Sequence, residues 1–384
     1  MSQFTFETSP KIICEQGGAR RLGEIARGLG ASRVFIVTDH GLVQAGVING
    51  ALAALAESGV EVTLFSDVLA DPPVASVLAA VAAARAAGVD AVVGLGGGSS
   101  MDTAKLVALL ARTPQPLDDI YGIGLARGAR LPLIQVPTTA GTGSEVTPIS
   151  ILTTLTHEKK GVVSPLLYPD VALLDAELTL GLPPAITAMT GVDAMVHAIE
   201  SFTSRVKKNP LSDALAIKAL KLLYANLSVA VTDGGDPNVR ENMLLGSLFA
   251  GMAFANAPVA AVHALAYPLG GHYHLPHGLS NSLVLGPVLE FNRTAASALY
   301  AELGRAILPE QYSAGDDAVA TAFIAAIRKL VAAMPYPQRL RDAGVTEADL
   351  PQLARDVMNI QRLLVNNPRD VAYEDALAIY QAAY

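Results

Sequence analysis

Residues 91–105 read AVVGLGGGSSMDTAK. The first five residues form the uninterrupted apolar run that is typical of a strand buried on both faces of a sheet. The three glycines, Gly96 to Gly98, would let the backbone approach a ligand closely, and a helix that follows them would present free N–H groups and the positive end of its dipole. The segment therefore predicts a strand–turn–helix unit that can hold a pyrophosphate.

The same turn has a purely structural interpretation, in which Ser99 or Ser100 caps the helix. The run is not a literal G-x-G-x-x-G and lacks the Gly-Lys-Ser/Thr of a P-loop, so the motif alone does not separate the two interpretations. A second polar loop, VPTTAGTGSE at residues 136–145, follows the next predicted strand. Ligands of doubly wound sheets lie outside the carboxyl ends of the strands, so two such loops favour a phosphate groove.

Strand-like and helix-like segments alternate on both sides of these loops. Apolar strands that alternate with helices are typical of a parallel sheet covered on both faces. We predict strands at Val34–Thr38, Glu61–Phe65, Ala91–Leu95, Leu133–Val136, Ile149–Leu155 and Val171–Leu174. The intervening helices are predicted at Val47–Ser58, Val74–Ala87 and Thr103–Ala111.

The pattern changes after Leu182-Pro183-Pro184, where helical segments follow one another and no convincing strand remains. These helices are predicted at Ala185–Ser201, Ser212–Leu227, Arg240–Ala255, Ala295–Leu303, Asp316–Ala332, Glu347–Val357 and Tyr373–Ala383. We therefore predict an α/β plus all-α chain. Residues 1–182 would form a Rossmann-like dinucleotide-binding domain and residues 183–384 a helical domain.

Composition narrows the functional classes. The chain has 384 residues, of which 51% are hydrophobic, so it can bury large cores and does not belong to the disordered class. Its net charge of -8, without a long basic run, argues against a nucleic-acid or polybasic membrane surface. The single cysteine, Cys14, allows no intrachain disulfide and indicates a reducing cytoplasm.

One stretch is apolar enough to suggest a membrane span. Residues 243–289 contain no Asp, Glu, Lys or Arg, and Met243–Val262 has the length of a bilayer crossing. Asn256 and Pro258 interrupt it, and both flanking charged residues are acidic, so no basic flank orients it. The N-terminus also lacks the basic and apolar regions of a signal peptide. We interpret the stretch as a buried helical core and expect no membrane association.

Asp39 directly follows the first predicted strand. A carboxylate at this position can accept hydrogen bonds from a ribose hydroxyl and repel a 2′-phosphate, which favours NAD over NADP. Its structural alternative is to cap the following helix.

The helical half contains a candidate metal site. Asp193 and His197 are four residues apart and share one face of a helix, and His263 and His277 lie further along the apolar region. One carboxylate and three imidazoles suit a divalent transition metal such as iron or zinc. His272 and His274 are rival ligands, because spacing does not choose among neighbouring histidines.

Four longer motifs resemble those of the iron-containing (group III) alcohol dehydrogenases, and the resemblance covers nearly the whole chain. They are GGGSSMDTAK (Gly96–Lys105), PTTAGTGSEVT (Pro137–Thr147), GVDAMVHAIES (Gly191–Ser201) and VHALAYPLGGHYHLPHGLSN (Val262–Asn281). The resemblance implies a dinucleotide-binding domain followed by a helical metal-binding and substrate domain. It also implies a homodimer that uses NAD and one divalent metal, Fe²⁺ or alternatively Zn²⁺, to interconvert a small alcohol with its aldehyde or ketone.

The resemblance further assigns roles to individual residues. The metal ligands would be Asp193, His197, His263 and His277, which removes the two rival histidines. The cofactor contacts would be Asp39, Gly97, Gly98, Ser99, Asp102, Thr138, Thr139, Thr142 and Lys160. The substrate pocket would include Ile151, Phe254 and Val259, which are all apolar and therefore indicate a modest alcohol or aldehyde rather than a strongly anionic substrate.

The catalytic residues implied by the resemblance are His277, as a ligand of the activating metal, and Tyr267. Family members commonly carry a histidine, often credited with relaying the substrate proton, at the position of Tyr267. A phenol is a poor proton acceptor near neutrality, so we predict that Tyr267 forms a wall of the pocket.

Two other activities share parts of this pattern. A dehydroquinate-synthase-like lyase would need several basic residues near the metal for its acidic, phosphorylated substrate, and residues 242–289 contain no Lys or Arg. A hydroxyacid–oxoacid transhydrogenase would keep metal and cofactor but would not release NADH.

Overall fold

The computed structural model describes residues 3–154, 158–311 and 313–384. Leu155, the predicted end of one strand, and His157 lie outside the described residues. The chain divides into an α/β unit, Thr8–Gly181, and a helical unit that begins at Leu182 and also includes the described N-terminal residues up to Glu7. The predicted domains, 1–182 and 183–384, place those N-terminal residues differently, because sequence patterning does not show which core a terminal segment joins.

The α/β unit contains two sheets. Its strands are β1 (Ile12–Cys14), β2 (Arg33–Val37), β3 (Glu61–Phe65), β4 (Ala91–Gly96), β5 (Gly122–Ile123), β6 (Leu133–Pro137), β7 (Ile149–Thr153), β8 (Lys159–Val163) and β9 (Val171–Leu174). The larger sheet has the order β1-β9-β6-β4-β2-β3, and all its strand pairs are parallel. The smaller sheet, β5-β8-β7, pairs β7 with β8 antiparallel, and the sequence pattern did not predict it as a separate sheet.

The larger sheet is buried on both faces. Along β2, Val34 and Ile36 belong to one hydrophobic core, whereas Phe35 and Val37 belong to the other. Alternate residues of a strand point to opposite faces, so a continuous apolar run fills two cores at once. This arrangement confirms the predicted parallel sheet of the Rossmann-like class.

The helices of this unit are α1 (Leu22–Gly28), α2 (His40–Gln44), α3 (Asn49–Glu57), α4 (Val74–Ala87) and α5 (Gly98–Leu110). Helix α5 begins five residues before the predicted Thr103, so Ser99 and Ser100 lie inside its first turn. Gly97 is the N-terminal cap residue and makes no side-chain capping bond, so the alternative that Ser99 or Ser100 caps the helix is wrong.

The helical unit contains α6 (Pro184–Thr203), α7 (Pro210–Thr232), α8 (Pro237–Asn256), α9 (Ala261–Tyr273), α10 (His277–Ile307), α11 (Asp316–Ala332), α12 (Leu350–Val357), α13 (Gln361–Leu364) and α14 (Tyr373–Ala383). Helix α9 was not predicted, and only residues 295–303 of α10 were. Both helices contain an internal proline, Pro268 and Pro287, which ordinarily ends a helix and hid them from the pattern. The predicted start of α12 at Glu347 is a separate 3₁₀ turn, Glu347–Asp349.

The uncharged region around Met243–Val262 is not one straight helix. Helix α8 ends at Asn256, and the chain bends by 103° before α9. Among the described residues, α7 by itself and the bent pair α8–α9 are long and apolar enough to cross a membrane. The core helices of soluble proteins often meet the same two criteria. Much of α8 and α9 is buried among the other helices, as the interpretation as a core region requires.

Candidate functional site

Three helices bring four potential metal ligands together. Asp193 and His197 come from α6, His263 from the first turn of α9, and His277 is the first residue of α10. One ligand atom from each residue lies within 4.8 Å of the other three. Asp193 Oδ1 is 4.0 Å from Nε2 of His197, 3.9 Å from Nε2 of His263 and 3.6 Å from Nε2 of His277.

The donor set fits a divalent transition metal. Bonds of about 2.1 Å to a tetrahedral centre place neighbouring ligand atoms roughly 3.4 Å apart, so only small movements of these side chains are needed. The side chains of Asp193, His197 and His263 are at most 6% exposed, whereas that of His277 is 38% exposed. The cluster is therefore closed on three sides and accessible beside His277, where a fifth ligand could reach the metal if the coordination expands from four to five.

The Asp193 carboxyl is held as an anion. Burial alone would raise its pKa, but the nearby imidazoles of His197, His277 and His263 and a hydrogen bond from Asn281 lower the pKa below its ordinary value. Asn281 Nδ2 donates to Asp193 Oδ1 at 2.6 Å, and within the described part of the chain the buried Asn281 Oδ1 has no hydrogen-bond partner. Sequence analysis did not assign a role to Asn281, because an asparagine near candidate ligands gives no signal of such a contact.

Two aromatic side chains lie beside the cluster. The Phe254 ring stacks on His197 with centroids 4.3 Å apart, and the Tyr267 ring lies 6.2 Å from that of His277. The structure therefore places Phe254 and Tyr267, two of the predicted site residues, beside the metal ligands. The guanidinium of Arg362 on α13 lies 5.6 Å from the Tyr267 centroid, a neighbour that sequence analysis missed because it comes from almost 100 residues further along the chain.

The rival histidines lie outside the cluster. His272 is exposed and its Nε2 lies 2.7 Å from Asp356 Oδ2. His274 is exposed and ends α9 in a left-handed backbone conformation. The remaining predicted pocket residue of the helical unit, Val259, is buried, and its carbonyl accepts a hydrogen bond from Asn366 Nδ2 at 2.8 Å.

In the α/β unit, the glycine loop and the threonine loop are in direct contact. The N–H of Thr138 donates to the carbonyl of Gly96 at 3.0 Å. A Cβ atom at Gly98 would lie 2.8 Å from Cγ2 of Thr142, so the side chain of the second loop fills the space that a larger residue would need. A Cβ at Gly97 would meet only Thr139, at an ordinary 3.7 Å, so no close contact within the described chain requires glycine there.

Asp102, which follows the glycine loop, is hydrogen-bonded to the threonine loop. Its Oδ1 accepts from Ser144 Oγ at 2.6 Å, and its Oδ2 accepts from the N–H of Ile151 at 2.9 Å. The resemblance assigns Asp102 to the cofactor, but both oxygens of its carboxylate accept hydrogen bonds from within the chain. The bond to Oδ2 also holds the backbone of Ile151, a predicted pocket residue.

A fully buried lysine supports this junction and was missed by the sequence analysis. Lys105 Nζ donates to Ser144 Oγ at 2.7 Å and to the Ile149 carbonyl at 2.7 Å. Burial lowers the pKa of Lys105, against the opposing charges of Asp102 and Glu145. Burial likewise raises the pKa of Glu145 to about 7. Lys105 and Glu145 are buried, whereas the side chain of Asp102 is 16% exposed.

Two further predicted cofactor residues lie elsewhere on the unit. Asp39 is the N-terminal cap residue of α2, and its Oδ1 accepts from the N–H of Leu42 at 3.0 Å. One of its two oxygens therefore caps the helix, which was the structural role considered for this residue. Lys160 on β8 is exposed, with Nζ 5.5 Å from the centroid of Tyr121. Cofactor contact by either residue stays a prediction.

Fold and site together describe a chain with a dinucleotide-binding type of sheet and a helical, histidine-rich metal centre. Models of two family regions match it: "Iron-containing alcohol dehydrogenase" over residues 9–176 and "Fe-containing alcohol dehydrogenase family, C-terminal" over residues 187–384. The chain therefore belongs to the iron-containing alcohol dehydrogenase family. This membership confirms the resemblance seen in the four motifs, the predicted fold class and the prediction of a metal-dependent alcohol dehydrogenase.

Individual relatives match over almost their full length. The probable alcohol dehydrogenase EutG of Escherichia coli (strain K12) is 38% identical over 99% of this chain and 94% of its own. The crystal structure of a 1,3-propanediol oxidoreductase superposes with a TM-score of 0.96 at 34% identity, covering 100% of both chains. The sulfoacetaldehyde reductase from Bifidobacterium kashiwanohense, solved in complex with NAD+, has a TM-score of 0.89 at 32% identity over 100% of this chain and 99% of its own.

Proposed function

We propose that this chain catalyses the reversible, NAD-linked oxidation of a small alcohol to its aldehyde or ketone, with Fe²⁺ as the native metal and Zn²⁺ as the alternative. The observation that carries the proposal is the cluster of one carboxylate and three imidazoles, buried except at His277, in a member of the iron-containing alcohol dehydrogenase family. Imidazole and carboxylate ligands suit both metals, and the family name favours iron.

Each group has a defined task in this reaction. When bound, the metal would supply Lewis acidity to the alcohol oxygen and NAD would accept the hydride. Asp193 and the three histidines would hold the metal, with His277 on the accessible side. Phe254 covers the ring of His197 and keeps water from that side of the cluster. Tyr267 forms a wall next to His277.

The loops of the α/β unit support NAD as the cofactor. Helix α5 begins at the glycine loop without a side-chain cap, so its first N–H groups can receive a phosphate. Gly97 leaves room for close approach, and Asp39 at the end of β2 favours a free ribose hydroxyl over a 2′-phosphate. The sulfoacetaldehyde reductase relative was crystallised with NAD+, which supports the same cofactor here.

A small alcohol or aldehyde is the proposed substrate class. Phe254, Val259 and Ile151 are apolar. Among the relatives, the 1,3-propanediol oxidoreductase is named for a small, uncharged diol, which supports this class. We further propose a cytoplasmic homodimer. The single cysteine, Cys14, forms no intrachain disulfide, which is compatible with a reducing compartment. Light scattering of the purified protein would test the dimer.

The test is whether the protein, loaded anaerobically with Fe²⁺ or Zn²⁺, reduces NAD to free NADH in the presence of a panel of small alcohols. We expect metal-dependent appearance of free NADH with at least one primary alcohol or diol. Hydride passing between a hydroxyacid and an oxoacid without free NADH would identify a transhydrogenase instead. Turnover of an acidic, phosphorylated substrate without net NAD reduction would identify a lyase and overturn the proposal.

A further inference from the structure

Glu200 is a buried carboxylate that contacts a metal ligand and has no role in the site as described so far. It lies on α6, three residues after His197, and its side chain is 5% exposed. Glu200 Oε2 is 2.7 Å from Nδ1 of His263. His263 therefore faces Asp193 with one ring nitrogen and Glu200 with the other.

The same carboxylate also binds the backbone at the start of α9. Oε2 accepts from the N–H of Ala260 at 2.9 Å, and Oε1 accepts from the N–H of Val262 at 2.6 Å. Three donors from one short segment thus converge on the two oxygens. Each N–H at a helix start needs such an acceptor, because it has no partner within the helix.

These bonds determine which nitrogen of His263 carries the proton. A carboxylate offers only acceptors, and both oxygens already accept backbone N–H groups, so the bond at 2.7 Å requires an N–H on Nδ1. In a neutral imidazole the other nitrogen then has a free lone pair. That nitrogen, Nε2, is the atom directed at Asp193 and the rest of the cluster.

We propose that Glu200 is a positioning residue that fixes the tautomer and ring orientation of His263 and thereby sets the affinity of the metal centre. The inference rests on the proposed metal centre and adds a residue to it. Partners of this kind behind a metal-binding histidine orient the ligand and raise its basicity, and their loss typically weakens metal binding by about 10- to 100-fold.

Glu200→Gln is the sharpest test, because glutamine keeps the size and loses only one acceptor. If its NH₂ group replaces Oε2, it faces the N–H of Ala260 and forces His263 to accept at Nδ1, which puts the proton on Nε2. If the NH₂ group replaces Oε1, it faces the N–H of Val262. Neither orientation satisfies all three donors, so the preference for the Nδ1–H tautomer weakens.

The matched control is Ser201→Ala. Ser201 is the next residue of α6, is fully buried, and donates its hydroxyl to the carbonyl of Ala198 at 3.0 Å, a bond to the helix backbone and not to a metal ligand. Binding of Co²⁺ as the probe metal would be measured by competition with a chelator. We expect Co²⁺ affinity to fall about 10- to 100-fold in Glu200→Gln and to change less than about threefold in Ser201→Ala.

A second readout separates positioning from a merely structural role. The ¹⁵N chemical shifts of histidine side chains in the metal-free protein, with the His263 signal assigned by its loss in His263→Ala, report the tautomer. We expect Nδ1–H in the wild type and a shift toward Nε2–H in Glu200→Gln. Should the glutamine variant not fold, Glu200→Asp replaces it, because the carboxylate keeps its charge but is one methylene shorter, which lengthens the 2.7 Å contact with His263 Nδ1.

The inference is overturned if neither Glu200→Gln nor Glu200→Asp lowers the affinity for Co²⁺ or shifts the tautomer of His263. A loss of thermal stability with unchanged Co²⁺ affinity would reduce Glu200 to a cap of α9. A wild-type protein that binds no Co²⁺ would refute the proposed metal centre, and the tautomer measurement would still decide what Glu200 does to His263.

Discussion

The metal centre of the helical unit and the glycine loop of the α/β unit are built in opposite ways. The metal centre consists of side chains from three helices, and its ligands span residues 193–277. The glycine loop consists of contiguous backbone at the start of α5, supported by Asp102 and Lys105 below it. Removing one side chain should therefore abolish the first site, whereas the second should fail only when backbone access is blocked.

The largest expected effect is that of His263→Ala. Because His263 is buried and contributes one of four converging atoms, its loss should remove most of the bound metal and lower kcat/KM by more than about 10²-fold, beyond the effect of losing a supporting residue. Metal content by mass spectrometry and kcat/KM would be measured on protein whose circular dichroism shows it folded. His272→Ala, an exposed histidine outside the cluster, is the control and should keep both. Full metal occupancy in His263→Ala would show that the ligand assignment is wrong.

Blocking the glycine loop should give the next largest effect. In Gly97→Ala the new Cβ meets no close neighbour in the described chain, so thermal stability should stay unchanged while the Kd for NAD rises at least about tenfold, or about 1.4 kcal/mol. Titration calorimetry and thermal unfolding would measure the two quantities.

The control for this loop is Gly28→Ala, where a Cβ also meets nothing within 4 Å but the residue lies at the end of α1. Its NAD affinity should equal that of the wild type. Equal affinity in Gly97→Ala as well would place the pyrophosphate elsewhere.

A smaller effect is expected at Asp39, the side chain that we propose selects NAD over NADP. Asp39→Asn removes the negative charge but keeps an oxygen that can cap α2, so helix stability is preserved. The ratio of kcat/KM for NAD to that for NADP should fall by about tenfold, the equivalent of about 1.4 kcal/mol. If the wild type already uses NADP as efficiently as NAD, the role given to Asp39 is wrong.

The smallest effect is expected for Tyr267→Phe. As a wall beside His277, the ring matters more than the hydroxyl, so kcat/KM should fall less than about tenfold. Removal of a true acid–base group costs roughly 10²–10⁴-fold. pH–rate profiles of both proteins at equal metal content would decide the matter. A loss above about a hundredfold with one limb of the profile missing would assign the proton transfer to Tyr267.

The sequence pattern predicted the bounds of those strands and helices that depend on residues close together in the chain. The strand Glu61–Phe65 and the helices Val74–Ala87 and Asp316–Ala332 have the predicted bounds, because periodicity and turn residues act within a few positions. Helix α9 escaped prediction because its glycines and Pro268 are poor helix formers, and burial of its apolar side chains among other helices outweighs that preference.

In the candidate site, too, local sequence patterns identified only part of the residues that contact one another. The pair Asp193 and His197 was readable as one helix face, whereas choosing His263 and His277 over their neighbours depended on the resemblance to a family. Glu200 and Arg362 were invisible from the sequence, since their importance comes from contacts with residues 63 and 95 positions away. Long-range packing determines such contacts, and a single sequence carries no direct signal of it.

The central claim is that this one cluster binds a single divalent metal on which NAD-linked alcohol oxidation depends. The direct measurement is an anaerobic titration of the metal-free protein with Fe²⁺, in which bound metal and NADH formation are followed together. The account predicts that activity rises linearly with added metal and reaches a plateau at about one equivalent per chain. In His263→Ala it predicts neither tight metal binding nor a rise in activity. Activity in the metal-free protein, or metal binding that leaves NADH formation unchanged, would contradict it.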